Sequence, residues 1–302
     1  MTFNPKLPLV YHENYSFSFD PQHRFVMSKF ARLYSQCLKK GLIQDNLYTP
    51  ELGTPEDLEL IHCDNYIWDL WYNRLSAKAM RRIGLPWSEQ LMARTFTAPL
   101  GTLKMAQLAL KYGVACHLAG GTHHAHYDFG SGYCMVNDLA FTATTLINTG
   151  LARNVLIFDL DVHQGDGTAA LLKHNPYVFT CSIHCEKNFP FRKHESDLDI
   201  GLENHTSDKV YLAKVEEVLT GLLQDLTPSL VLYDAGVDVW EHDGLGKLNI
   251  SWQGIAQRDA LVLKICQQHG IPVATVIGGG YDKDHQRLAQ RHSIVIEQAA
   301  KL

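Results

Sequence analysis

The chain has 302 residues, with 27 Lys and Arg against 32 Asp and Glu, which gives a formal net charge of −5 with neutral histidines. Hydrophobic residues make up 46% and charged residues 20%, a composition typical of a globular protein with ample material for a core. These values exclude fibrous and disordered classes, and a slightly acidic chain lacks the dominant basic face of a nucleic-acid-binding protein.

The sequence shows neither a membrane segment nor a secretory signal. No apolar run approaches the ~18 residues that a membrane span needs, and residues 1–5 lack a basic region followed by an apolar one. The seven cysteines are scattered, odd in number and without a CxxC pair, which favours free thiols in a reducing compartment. We therefore expect a cytoplasmic protein that binds neither membrane nor nucleic acid.

Short apolar segments alternate with longer helical patterns along the chain, and no linker or repeat divides it. The predicted strands are 7–11, 114–118, 154–160, 177–183, 230–234 and 272–277. The predicted helices are 21–40, 55–74, 88–112, 136–149, 166–174, 207–225, 252–269 and 284–299. Apolar runs such as 155–158 are typical of central parallel strands, which are buried on both faces. We expect one α/β domain with a parallel sheet flanked by helices, and no strand within residues 42–113.

Polar side chains follow five of the predicted strands, and the chain contains 16 histidines, a residue type suited to metal binding and proton transfer. Ligands bind outside the carboxyl ends of strands in open parallel sheets, so we expect these side chains to meet at one edge. In strand order, the polar segments contain His123 and His124, then Asp159, Asp161 and His163, then Ser182 and His184, then Asp238, and finally Tyr281.

Asp161 and His163 lie two residues apart at the end of the predicted strand 154–160. In an extended segment such residues point to the same side, so the two side chains project together. Asp238 enters from the end of another strand, and three protein ligands with a position left for water are typical of a catalytic zinc site. The alternative is that Asp161 and His163 only cap the next helix, but the Asp-x-Asp-x-His pattern favours a metal site.

His123 and His124 form a consecutive pair in a predicted loop, where both rings can reach one cavity. Hydrolysis of an amide needs a base for the water proton and an acid for the departing amine. Asp159 and Asp166 flank the proposed ligands and are available to hold each ring in the required tautomer. The alternative is a hydrogen-bonded loop or surface pair. His126 is expected either to support this pair from behind or to be exposed.

Three glycines, residues 278–280, precede Tyr281. Glycine lets the backbone approach a site closely, and a tyrosine hydroxyl can donate to a carbonyl oxygen that becomes an oxyanion. A phosphate-binding loop is the alternative, but no Lys-Ser/Thr pair follows the glycines.

Several ordered motifs together resemble the zinc-dependent histone deacetylase family over nearly the whole chain. They are GGTHHA at 120–125, GYCMVND at 132–138, DLDVHQGDG at 159–167, AGVD at 235–238 and GGGY at 278–281. The spelling DVHQGDG, with the segments 83–88 and 245–251, is most similar to the class IV branch. The resemblance implies one catalytic domain over 1–302 with the arginase/deacetylase fold, a central parallel sheet of about eight strands.

The resemblance also implies a role for each matching residue. Zinc would be held by Asp161, His163 and Asp238, with iron(II) as a possible native metal. His124 would be the general base and acid, and His123 would act mainly through its charge. Asp159 and Asp166 would support the two rings, and Tyr281 would polarise the acyl carbonyl.

Further sites follow from the same resemblance. A potassium ion would bind at Asp159, Asp161, His163, Ser182 and Ile183. A second ion would use carbonyl groups near Leu172, Asn175 and Val178. The walls of an acyl-lysine tunnel would be Gly132, Tyr133 and Phe189, with Tyr133 replacing the usual phenylalanine.

The predicted activity is removal of acetyl or longer fatty acyl groups from acyl-lysine side chains of proteins by metal-activated water. Deacetylation of small acetylated amines or polyamines is an alternative, as is a non-catalytic module that binds acyl-lysine. A dinuclear manganese ureohydrolase is a further alternative. It is disfavoured because Gly165 stands where that family has an aspartate, and Val239 and Trp240 follow Asp238 without an Asp-x-Asp pair.

Overall fold

A computed structural model describes residues 7–302, and its eight strands form one parallel sheet. The strands are β1 (Leu9–Val10), β2 (Leu47–Tyr48), β3 (Val114–His117), β4 (Val155–Asp159), β5 (Val178–Cys185), β6 (Leu198–Leu202), β7 (Leu230–Asp234) and β8 (Val273–Val276). Their order across the sheet is β2-β1-β3-β8-β7-β4-β5-β6, and each neighbouring pair is parallel. The predicted α/β class with a parallel sheet of about eight strands is confirmed.

Helices flank this sheet in two packed series. They are α1 (Lys29–Lys39), α2 (Pro55–Leu58), α3 (Asp64–Trp71), α4 (Ala77–Ile83), α5 (Glu89–Tyr112), α6 (Asp138–Asn148), α7 (Asp166–Leu172), α8 (Asp208–Leu226), α9 (Trp252–Gln268) and α10 (His285–Ala299). Helix α10 packs between α1 and α9, and α9 packs on α8. Helix α6 packs between α5 and α7, and α5 also lies against β3 and β8.

The central strands form much of the buried core and place the polar segments that follow them at one edge of the sheet. Every residue of β4 and β7 is buried, which explains why both strands are apolar on both faces. Strands β3, β8, β7, β4 and β5 are consecutive in the sheet, so the segments that follow them emerge side by side at one edge. The predicted convergence of five polar segments has this topological cause.

Two strands escaped prediction, and both lie at the edges of the sheet. Strand β2 contains only two half-buried residues, and it contradicts the expectation that residues 42–113 contain no strand. The first four residues of β6 alternate between half-buried and exposed, and only Leu202 is buried. The strand therefore lacks the continuous apolar run of the central strands. Edge strands have only one partner, and their sequences carry a weaker signal.

Two predicted helices are shorter than expected. The segment 21–28 forms turns before α1, and the Phe25 N–H donates to His23 Nδ1 (3.0 Å) while His23 Nε2 lies 3.1 Å from the Gly84 carbonyl oxygen. The predicted helix 55–74 is divided into α2 and α3. Between them the Cys63 N–H donates to the Tyr127 carbonyl (2.8 Å), a tertiary bond that replaces helical bonding.

Within residues 7–302, no helix combines the length and the apolarity needed to cross a bilayer. The cysteines, all of which lie in this part of the chain, are unpaired, as their spacing predicts.

Candidate active site

The segments that follow β3, β4 and β8 line one small cavity of about 30 Å³. Its walls include His123, His124, Asp161, His163 and Tyr281. These side chains lie far apart in sequence, and the sheet brings them together. The cavity therefore contains most of the residues for which the sequence predicts a chemical role.

Asp161, His163 and Asp238 form a group that could hold a metal ion, with one ligand atom from each residue within 4.8 Å of the others. The three residues are 1%, 6% and 0% exposed. His163 Nδ1 lies 3.0 Å from Asp161 Oδ1 and 3.1 Å from Asp238 Oδ2. One ring nitrogen carries at most one hydrogen, so it cannot satisfy both carboxylates well. A cation among these three atoms would satisfy all of them, and the donor set fits a divalent ion.

Backbone groups fix the two carboxylates. The Val162 N–H donates to Asp238 Oδ1 (2.9 Å), and the Gly279 N–H donates to Asp161 Oδ2 (2.7 Å). A side chain at position 279 would place its Cβ 2.1 Å from Asp238 Oδ2 and 2.5 Å from Asp161 Oδ2. Gly279 is therefore required for the close approach of the loop after β8 to both acids.

Each histidine of the pair rests on its own buried carboxylate. His123 Nδ1 lies 2.7 Å from Asp159 Oδ2, and His124 Nδ1 lies 2.6 Å from Asp166 Oδ1. The ring centroids of the two histidines are 4.1 Å apart. When Nδ1 donates to a carboxylate, Nε2 is the nitrogen left for chemistry. The predicted support of the pair by Asp159 and Asp166 matches these distances.

The two rings differ in protonation because their surroundings differ. Burial lowers the pKa of His123, but the carboxylates of Asp159 and Asp161 more than offset this and raise it well above its usual value. Burial and the neighbouring charge of His123 lower the pKa of His124 to about 4. At neutral pH His123 is therefore a cation, while His124 is neutral and able to accept a proton.

Tyr281 enters the cavity on a loop held at its backbone. The Tyr281 N–H donates to Asp243 Oδ2 (2.8 Å), and the Gly244 N–H donates to the Tyr281 carbonyl (3.1 Å). Burial, together with the charges of Asp238 and Asp161, raises the pKa of Tyr281 well above its usual value. The hydroxyl keeps its proton and remains a hydrogen-bond donor.

The three predicted tunnel residues lie against His124 and Tyr281. The Phe189 ring meets the His124 ring edge-on, with centroids 4.9 Å apart, and the Tyr133 and Tyr281 ring centroids are 5.9 Å apart. Gly132 has a φ of +52°, and a Cβ there would lie 2.6 Å from His124 Cδ2. A side chain at position 132 would therefore press on the His124 ring, and the tunnel itself stays a prediction.

The residues predicted to bind potassium lie on β4, β5 and the loop after β4. Asp159 pairs in register with Ser182, whose hydroxyl lies 3.0 Å from His184 Nδ1, and Ile183 follows on the same strand. In the second predicted set, the Leu172 carbonyl accepts from the Asn175 N–H (2.8 Å), and the Asn175 carbonyl accepts from the Val178 N–H (3.2 Å). Potassium binding stays a prediction at both places.

Sequence reasoning missed a buried acid beside the histidine pair. Asp234 ends β7 in register with Asp159, and ligand atoms of Asp234, Asp159 and His123 lie within 4.8 Å of one another. Neither Asp234 oxygen has a hydrogen-bond partner among residues 7–302, and burial raises its pKa well above the usual value. An acidic residue at the end of an apolar strand was the available signal. His126, in contrast, supports the pair as one prediction had it, with Nε2 at 3.0 Å from Asp166 Oδ2.

Two buried cations also line the cavity without having been singled out in the sequence. Lys29 is the first residue of α1, and Arg94 lies on α5. Helical periodicity alone does not distinguish a lysine or arginine that faces a cavity from one that faces solvent.

Comparison with known proteins identifies the family. The family model described as the histone deacetylase domain matches residues 23–298. The chain belongs to the histone deacetylase family. This confirms the resemblance drawn from the motifs, and the family is one of hydrolytic deacetylases.

Relatives of several kinds share this domain. An uncharacterized protein of Picosynechococcus is 48% identical over 289 residues, covering 95% of this chain and 96% of the relative. Histone deacetylase 2 of Arabidopsis thaliana is 27% identical and covers 94% and 76% of the two chains. The acetoin utilization protein AcuC of Staphylococcus aureus is 28% identical and covers 87% and 74%.

Solved structures agree with the fold of the chain. A histone deacetylase homolog from Aquifex aeolicus has a TM-score of 0.80 at 23% identity, covering 98% of this chain and 84% of that one. A histone deacetylase homolog complexed with SAHA has a TM-score of 0.80 at 24% identity, with 97% and 84% coverage. The central sheet and its flanking helices are therefore those of the histone deacetylase fold.

Proposed function

We propose that the protein is a zinc-dependent hydrolase that removes acyl groups from the side chains of Nε-acyl-lysine in proteins. One observation carries the proposal. A buried Asp161–His163–Asp238 group lies beside a histidine pair whose members differ in charge, and Asp161 and His163 line the same cavity as the pair. This combination supplies a metal position, a base and a cation at one cavity.

Asp161, His163 and Asp238 would hold the metal. Two carboxylates and one imidazole are ligands that zinc accepts, and iron(II) accepts the same donors. When bound, the ion would supply Lewis acidity that activates both a water molecule and the acyl carbonyl.

The remaining steps belong to protein side chains. His124, neutral at working pH, takes a proton as the water oxygen bonds to the acyl carbon, and it returns that proton to the lysine nitrogen as the amide C–N bond breaks. Tyr281 donates a hydrogen bond to the carbonyl oxygen as negative charge develops there. His123 stays protonated and contributes positive charge. Asp159 and Asp166 keep the rings in position.

Substrate entry would use the passage between Gly132, Tyr133 and Phe189. An extended, mostly apolar lysine stem fits an opening bounded by aromatic rings and a glycine. Membership of the class IV branch, a cytoplasmic location and potassium binding remain predictions, supported by the motifs, by the free cysteines and by the matching residues.

The deciding experiment is an initial-rate assay of the zinc-loaded protein on one peptide that carries acetyl-, octanoyl- or myristoyl-lysine, with and without chelator. We expect turnover that chelator abolishes and added zinc restores. Turnover unaffected by chelator would contradict the proposal. Activity confined to acetylated polyamines would show that the substrate is a small acetylated amine and not an acylated protein. Peptide binding without turnover would favour a binding module, and two metals per chain would favour a dinuclear ureohydrolase.

A further inference from the structure

Two cationic side chains are buried in the same cavity as the candidate metal site. Lys29 is 3% exposed and Arg94 is 6% exposed, and both line the cavity together with Asp161, His163 and Tyr281. The ion pairs formed among residues 7–302 include neither cation. Buried cations normally have an anionic partner, so this pair requires an explanation.

The contacts of the two cations leave donors without protein acceptors. Lys29 Nζ donates to the Gly278 carbonyl oxygen at 3.2 Å, and within the described chain Arg94 Nε has no partner. Both side chains share the rings of Phe25 and Phe30. The Arg94 guanidinium carbon lies 4.6 Å from the Phe30 ring centre, and Lys29 Nζ lies 5.4 Å from it. Contact with aromatic rings reduces the free-energy cost of burying a cation, but the rings do not supply a negative charge.

Burial and mutual repulsion both act against these charges. Burial and the charge of Arg94 lower the pKa of Lys29 to about 8. Burial lowers the pKa of Arg94 to about 10. The carboxylates of Asp238, Asp161 and Asp234 favour the charge on Lys29, and Asp138 favours the charge on Arg94. A divalent ion would neutralise Asp238 and Asp161. Neither Asp234 nor Asp138 forms an ion pair with the two cations in the described part of the chain, so the metal-loaded protein would leave them without a directly bonded anion.

We propose that Lys29 and Arg94 bind the terminal carboxylate of a short dicarboxylic acyl group, of malonyl or succinyl size, on the substrate lysine. This inference rests on the proposed function and specifies its acyl group. With the lysine stem at Gly132 and the carbonyl at the metal site and Tyr281, the rest of the acyl group points toward the inner cations. The reaction is the same amide hydrolysis, with water as the second reactant and a dicarboxylate as the released acid.

The size and polarity of the cavity favour this acyl class over a fatty chain. A cavity of about 30 Å³ has room for a few additional atoms only. An alkyl chain would leave two buried cations unpaired, whereas a carboxylate forms charge-assisted hydrogen bonds with both. Arginine is well suited to this role because its fork of N–H groups matches a carboxylate.

The test compares two acyl groups that differ only in charge. One peptide carries succinyl-lysine, and its isostere carries succinamoyl-lysine, in which a primary amide replaces the carboxylate. Acetyl- and malonyl-lysine peptides complete the series. With zinc-loaded wild-type protein we expect kcat/KM for the succinyl or malonyl peptide to exceed that for the succinamoyl peptide by roughly tenfold or more. An equal or lower value, together with turnover of the acetyl peptide, would overturn the proposal.

Variants assign the preference to the two cations. Arg94→Gln and Lys29→Met should each bring the ratio of kcat/KM for the succinyl peptide to that for the succinamoyl peptide close to one. This ratio is measured within each variant, so it does not depend on the amount of active protein. Arg82→Gln is the matched control, because Arg82 also lies over a phenyl ring (Phe129, 4.5 Å) but is exposed and outside the cavity. A ratio that persists in Arg94→Gln and in Lys29→Met would refute the assignment.

Binding measurements separate this inference from the proposed function. If no peptide is turned over, the proposed activity fails, and calorimetry with the succinyl and succinamoyl peptides still tests the subsite. Tighter binding of the succinyl peptide supports it, and equal binding refutes it. Free succinate that binds through Arg94 while the two peptides bind equally would show a site for a released acid and not for the acyl group, which also overturns the proposal.

Discussion

The histidines at 123 and 124 are identical in chemistry and adjacent in sequence, but their environments give them opposite charges. His123 faces Asp159 and, at 3.9 Å, Asp161, whereas His124 has Asp166 and lies beside the His123 cation. The two carboxylates beside His123 stabilise a proton on its ring, and the positive charge of His123 disfavours a proton on His124. The division of labour between base and fixed charge thus follows from which acids each strand end supplies.

Replacement of Tyr281 by phenylalanine tests the oxyanion donor. The variant keeps the ring but loses the only atom that can donate to the acyl carbonyl from this side chain. We expect kcat to fall by roughly 10²–10³ while zinc content and thermal stability stay close to those of the wild type. Metal analysis and steady-state kinetics on the acetyl-lysine peptide measure both. Wild-type turnover in the variant would remove Tyr281 from the mechanism.

Gly279 offers a separate test of the metal site. In Gly279→Ala the new Cβ would meet oxygens of Asp238 and Asp161 at 2.1 and 2.5 Å, so one acid must move away from the metal position. We expect zinc affinity to fall by roughly 10- to 100-fold, as measured by competition with a chromogenic chelator. Gly244→Ala is the control, because its nearest neighbour, the Tyr281 carbonyl oxygen, would lie at an ordinary 3.6 Å. Equal affinity in the two variants would contradict the assignment of the site.

The role of a residue was predictable from the sequence where spacing fixes the direction of its side chain. It was not predictable where tertiary packing decides which way the side chain faces. Asp161 and His163 lie two residues apart after a strand, so their common direction follows from local geometry. Lys29 and Arg94 face the cavity only because α1 and α5 pack beside it, and no local pattern encodes that choice. Asp234 was not predicted as a site residue because it follows four apolar residues of a strand. A single acid in that position was interpreted only as the end of the strand.

At the scale of secondary structure, the elements that build the site were the ones most visible in the sequence. Central strands such as β4 and β7 are buried on both faces, so each reads as a continuous apolar run. The edge strands β2 and β6 bury little, and their sequences resemble loops. Helix boundaries failed where a tertiary hydrogen bond replaced a helical one, as at Cys63.

The loop after β7 holds the loop before α10 through one side chain, Asp243. Its Oδ2 accepts from the Tyr281 N–H (2.8 Å), and its Oδ1 accepts from the Leu245 N–H (2.9 Å). Asparagine has a single acceptor oxygen, so Asp243→Asn loses one of these bonds. We expect kcat on the acetyl-lysine peptide to fall by roughly tenfold, because Tyr281 is no longer held in place.

A double-mutant cycle shows whether Asp243 acts through Tyr281. If it does, Asp243→Asn causes little further loss of kcat in the Tyr281→Phe background. Glu241→Gln is the control, since Glu241 is an exposed acid of the same loop. Additive losses in the double variant would show that Asp243 supports the fold generally and does not position the tyrosine hydroxyl.

At the scale of the whole molecule, buried neutral histidines link folding to pH. Burial lowers the pKa of His62 to about 4, of His117 to about 3 and of His184 to about 4. Below the ordinary histidine value of about 6.5, the unfolded chain binds protons that these folded-state rings refuse. Each of these three rings therefore contributes stability that is lost as pH falls from about 6.5 toward 4.

His62 is the ring whose role is best defined, and its replacement tests this linkage. The His126 carbonyl lies 2.9 Å from Nδ1, and Nε2 accepts from the Asn137 N–H (2.9 Å), so protonation would destroy the second bond. His62→Gln should lower the free energy of unfolding at pH 7 yet reduce its pH dependence below pH 6.5 by up to about 1.4 kcal/mol per pH unit. Urea unfolding at several pH values measures both, with His174→Gln, an exposed histidine, as the control. An unchanged slope in His62→Gln would mean that this ring is already protonated in the folded protein or stays neutral when the chain unfolds.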